Sequence, residues 1–108
     1  MLEFNENVLD QLISARHLSV KPSAFSEMID KLIWLIDCNH INLGLVLEGW
    51  LTSADDKFKV EVALGVKEFF PIKGEDDNRL VLSKIQQIWP DLANQCETML
   101  IEYLKHND

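Results

Sequence analysis

Along residues 22–37, apolar side chains recur at Phe25, Met28, Ile29, Leu32, Ile33 and Ile36. This is the i, i+3, i+4, i+7 stripe of an amphipathic helix. Pro22 suits the first turn, where its missing N–H is no loss. Residues 91–106 repeat the logic, with Leu92, Cys96, Met99, Leu100, Tyr103 and Leu104 on one face. Pro90 and Asp91 favour a helix start, and Lys105 and His106 favour a helix end. Shorter stripes lie at Val8, Leu9, Leu12 and Ile13, behind a cap at Asn5 or Asn7, and at Val81, Leu82, Ile85, Ile88 and Trp89, behind a cap at Asp77 or Asn78. The residue before a proline is pushed out of the α region, so Trp89-Pro90 marks a boundary. Residues 71–77 combine proline, glycine and three consecutive acids, and they read as the main exposed loop.

The middle of the chain supports two readings. Phe58, Val60, Val62, Leu64 and Val66 alternate with more polar neighbours, and Ile41, Leu43, Leu45 and Leu47 also alternate. That pattern fits a hairpin over 41–66 turning at residues 53–56. The helical reading is favoured because Ser53 and Asp56 resemble a capping box. Phe58, Val62, Val66 and Phe69 then form a stripe that ends before Pro71. The expected fold is all-α, with about six helices as three antiparallel pairs: 5–17 with 22–37, 40–52 with 54–70, and 78–89 with 91–106. The near-regular spacing suits a short solenoid or a bundle; the alternative is α+β with the 41–66 hairpin.

Composition narrows the class. A chain of 108 residues, 47% of them hydrophobic, has enough apolar mass for one core and room for a single domain, residues 1–108. Eighteen acids against ten bases give a net charge of −8. That argues against a phosphate-binding basic face, so neither nucleic acid nor an anionic lipid surface is expected as a partner. The first residues lack a basic segment and a long apolar run, so a cytoplasmic location is expected. The longest apolar-rich stretch, 41–51, is too short to span a membrane.

Candidate chemistry is sparse. Cys38 and Cys96 both sit in apolar patterns and read as buried thiols in a reducing compartment, with a single bridge as the alternative. Cys38 and His40 lack the second ligand pair that structural zinc needs, and His17 and His106 stand apart from them. Nothing marks either cysteine as an activated nucleophile. The acids at residues 75–78 do not match an EF-hand loop, and no phosphate-binding, dinucleotide or hydrolase motif is present. Neither an enzyme nor a metal or cofactor is expected. Of the tryptophans, Trp89 reads as core, whereas Trp34 points away from the stripe of its helix. Trp34 and Trp50 are therefore the candidate partner-binding anchors. The acids are uneven: residues 1–56 carry nine acids and three bases, and the remainder nine and seven.

In size, acidity and lack of catalytic motifs, the whole chain resembles bacterial immunity proteins, the antidotes of contact-dependent growth-inhibition or colicin-type toxins. The resemblance implies a cytoplasmic antitoxin that binds a cognate protein toxin, such as a basic nuclease, and blocks its active site. Glu48, Asp55, Asp56, Glu75, Asp76 and Asp77 are the acids expected to serve such an interface. The competing reading is a helical adaptor or regulatory domain that binds a protein through an apolar groove.

Overall fold

Six α-helices carry the chain in the computed structural model, which describes residues 6–16, 18–35, 40–67 and 70–106. They are α1 (Glu6–Ser14), α2 (Pro22–Leu35), α3 (His40–Ser53), α4 (Lys57–Gly65), α5 (Glu75–Ile88) and α6 (Ala93–His106), with a 3₁₀ turn at Pro90–Leu92 before α6. No strand occurs among the described residues, and α3 and α4 occupy the segment that the hairpin alternative assigned to strands. The fold is all-α.

Helix α4 lies at the centre. Val60, Val62 and Ala63 are fully buried and Leu64 nearly so, which closes both the Val60–Leu64 face and the opposite Val62–Ala63 side. A helix covered all round needs no polar stripe, so its sequence loses the 3.6-residue period. The alternation over 58–66 was therefore a by-product of burial. Helix α2 makes its most extensive contact with α4, α3 also packs on α4, and α5 packs against α6. The α3/α4 and α5/α6 neighbours match the expected pairs, whereas α2 is seated on the central helix. The molecule measures 34 × 32 × 19 Å, and its thin dimension holds about two helix layers of ~10 Å each.

Close approach of α2 and α4 depends on Gly65. A methyl group there would lie 2.5 Å from Ser26 Oγ. The buried Ser26 hydroxyl donates to the Val62 carbonyl at 2.7 Å. Val62 belongs to the last turn of α4, where carbonyls have no partner within the helix, so α2 supplies what the helix end lacks. Beyond Gly65 the backbone is extended at Val66, and the Asp30 carboxylate accepts the Lys67 N–H at 3.0 and 3.2 Å. These bonds end α4 at Gly65 rather than at residue 70.

Two other helix starts differ from expectation. Ser53 ends α3, Ala54 turns the chain with a positive φ of 49°, and Asp56 is the cap of α4, its Oδ1 accepting the Lys59 N–H at 3.3 Å. The acidic residues Glu75, Asp76 and Asp77 form the first turn of α5, not a loop. Acids there meet the positive end of the helix dipole. Gly74, with φ 91°, precedes them at the cap position without a side-chain bond. Asn78 is fully buried and does not cap; its Nδ2 donates to the Ile72 and Gly74 carbonyls at 3.0 and 2.8 Å and so folds the approach to the helix.

At the other end of the chain, α1 places Leu9 and Ile13 in the core, leaving Leu12 partly exposed. Nine residues are too few for a helix to stand alone in water, so these two side chains, each contributing about 1.5–3 kcal/mol by burial, hold it in place. Asn7 lies inside α1, and Asn5 is outside the described residues.

Candidate functional site

The carboxylates named from sequence fall into two groups, one at each end of α5. At its start, Glu75, Asp76 and Asp77 are all exposed. Glu75 accepts from Arg79 Nε at 2.9 Å, one turn along. Asp76 and Asp77 have no basic side chain within 4.0 Å among the described residues. The glycine that leads into this turn is pinned by α6, its N–H donating to Tyr103 Oη at 2.7 Å.

The second group surrounds the α3–α4 turn. Asp55 and Asp56 are exposed, and Asp55 accepts the Ser53 hydroxyl at 3.4 Å. Asp56 is occupied at the backbone as the α4 cap, but neither aspartate meets a basic side chain among the described residues. Lys57, the next residue, instead reaches Asp91 at 2.6 Å, just beyond the end of α5. The Lys57 hydrogen bond holds the Asp91 carboxyl below its ordinary range, and the same bond raises Lys57. This pair places the Asp55–Asp56 turn beside the end of α5 opposite to Asp76 and Asp77. The helix has 14 residues and so spans about 20 Å between the ends near which the two acidic groups lie. Glu48, half-buried on α3, lies nearer the Asp55 end.

The tryptophans divide differently. Trp50 is buried at 5% exposure and so offers no surface anchor in this conformation. Trp89 packs partly buried against the core. The side chain of Trp34 lies outside the described residues, as do Cys38, His17 and the side chain of His40. The Cys96 thiol is fully buried, and loss of solvation pushes its pKa up to about 11. A thiol so held is protonated at neutral pH and is a poor nucleophile. Among the described residues no group of three or more His, Cys, Asp or Glu is arranged to hold a metal ion. No helix among them is long and apolar enough to cross a membrane.

The apolar groove of the adaptor alternative has a candidate, at residues that the sequence did not single out for binding. A groove of about 560 Å³ runs between the last turn of α4 and α6. Leu64, Val66, Phe70 and Met99 supply its apolar lining, and Gln95, Glu102 and His106 its polar one. The Phe70 ring stands edge-on to Tyr103 at 5.5 Å and lies 5.6 Å from His106. A helix continued to residue 70 would have taken a different path here, so the groove follows from the end of α4 at Gly65. The spacing of Gln95, Glu102 and His106 along α6 was the available clue, but polar positions at that spacing also describe any wet helix face. Comparison with protein-family models, curated proteins and solved structures finds no match to this chain.

Proposed function

We propose that the chain is an immunity-type antitoxin of the cytoplasm, which neutralises a cognate basic toxin, such as a nuclease, by covering its active site with carboxylates. The observation that carries this reading is the set of exposed acids that meet no basic side chain among the described residues: Asp55 and Asp56 at one end of α5, Asp76 and Asp77 at the other. A standard protein interface covers about 800 Å² per partner, a patch roughly 30 Å across. Acidic groups near helix ends about 20 Å apart fit beneath one such partner. The turn and the helix start that present them are both held by hydrogen bonds, so little order has to be gained on binding. The net charge of −8 adds long-range attraction for a basic surface.

The test is co-expression with the cognate toxin domain, which this reading expects to be encoded directly upstream. Cells should survive with the wild-type chain and sicken with Asp76→Asn/Asp77→Asn. Full protection by this variant and by Asp55→Asn would remove the acidic surface from the mechanism.

The α4–α6 groove favours a second reading, a protein-binding adaptor that seats an apolar segment. Binding there would persist at high salt, whereas capture by carboxylates weakens as ions screen the charges.

A further inference from the structure

We propose that α1 is a strap that opens as a unit while the other five helices stay folded, and that its opening releases the Lys59 side chain it holds beside Trp50 and so exposes the indole. Each of α2 to α6 has at least one close backbone neighbour among the other helices, but α1 has none of comparable extent among the described residues. Side chains alone fasten it. Leu9 and Ile13 are buried, Asp10 Oδ1 meets Lys59 Nζ at 2.6 Å, and the Arg16 guanidinium lies 3.9 Å above the Phe58 ring. Ala15 and Arg16, which follow α1, are exposed, and Leu18 is 99% accessible.

Lys59 joins the strap to the tryptophan, since its Nζ also lies 5.6 Å from the Trp50 ring. Asp10 Oδ1 is shut off from water in this arrangement, and so is Trp50 Nε1, which has no hydrogen-bond acceptor. A buried donor without an acceptor disfavours the closed state, and it recovers its bond to water on opening. The Asp10–Lys59 pair opposes that tendency. The strap is thus a balance between an ion pair that closes it and an orphaned N–H that gains by release.

The experiment is amide and indole hydrogen exchange on the intact chain, followed residue by residue by NMR. Leu9–Ile13 amides and the Trp50 indole should exchange together, about 100-fold or more faster than the Val60–Leu64 amides of α4. Asp10→Asn should speed the first set by about two- to fivefold, a range set by the worth of a partly exposed ion pair, and leave α4 unchanged. Raising salt to 1 M on the wild-type chain should act in the same direction, which keeps the test open if the variant folds poorly. Exchange of α1 at the α4 rate would overturn the proposal. So would an indole that follows α4 while α1 exchanges fast.

Discussion

Replacing Gly65 with alanine tests the packing that positions the site. The added methyl would lie 2.5 Å from Ser26 Oγ and 3.0 Å from Ser26 Cβ, closer than side chains tolerate. Either α2 moves away from α4, or Ser26 rotates and abandons its 2.7 Å bond to the Val62 carbonyl. Overpacking of a tight contact costs about 1–3 kcal/mol, and a buried carbonyl left unpaired costs about 1–3 kcal/mol. Alanine returns at most about 1 kcal/mol of helix propensity. Since the two costs are alternatives, the expected loss is about 1–3 kcal/mol, a sizeable part of the ~5–15 kcal/mol that stabilises a domain. Urea unfolding followed by far-ultraviolet circular dichroism measures it directly. Ser26→Ala alone should also destabilise, because Val62 loses its partner. In the double variant Ser26→Ala/Gly65→Ala, however, the two losses should sum to less than the separate values, since the clash with Oγ is gone. A Gly65→Ala protein within about 0.5 kcal/mol of wild type, or strict additivity in the double variant, would refute this account of the α2–α4 contact.

Three further outcomes follow from the same geometry. Asn78→Ala should destabilise by about 2–4 kcal/mol, because its two bonds to the Ile72 and Gly74 carbonyls are lost; an effect under about 1 kcal/mol in chemical denaturation would contradict that role. Cys96 should react with a thiol reagent at pH 8 far more slowly in the folded state than in denaturant, because burial has raised its pKa to about 11; equal rates would show that the thiol is accessible. The Lys57–Asp91 pair should matter only where both groups are charged. The folded pKa of Asp91 is lowered, so its contribution is present above the unfolded value of a carboxylate and fades as pH falls through the folded value. That of Lys57 is raised, so its contribution is complete below the ordinary lysine value of 10.5 and fades as pH rises through the higher folded value. Asp91→Asn should therefore shift the thermal midpoint slightly at neutral pH and less in acid; a pH-independent difference would argue against the ion pair.

The amphipathic helices were legible because each has one wet face. Helix α2 shows this at Phe25, Met28, Ile29 and Leu32, and α6 at Cys96, Met99 and Leu100. The central helix was legible from the capping pattern at Ser53 and Asp56 and the Phe58, Val62 and Val66 stripe, but burial on all sides also left an alternation that fitted a strand. Its C-terminal end was hidden. Ser26 and Asp30, which stop α4, are 36 and 37 residues away from the groups they bind, and no local pattern announces such a bond. The acids of residues 75–77 looked like a loop because glycine and proline precede them, whereas in the fold they begin a helix whose dipole they complement. Of the candidate site, the individual carboxylates were visible, but their separation to opposite ends of α5 depends on the Lys57–Asp91 contact. Trp50 was a candidate anchor because tryptophan is favoured at binding hot spots; in the fold it is buried, with Lys59 of α4 beside its ring.

The most direct test of the central claim is the association rate between this chain and the basic toxin that the proposed function assigns to it, measured from low to high salt. For the wild-type chain the rate should fall steeply as salt rises, and Asp76→Asn/Asp77→Asn should slow association at low salt and flatten that dependence, with the fold unchanged by circular dichroism. Identical rates and identical salt slopes for the two proteins would contradict an acidic inhibitory surface and move the interface to the groove between α4 and α6.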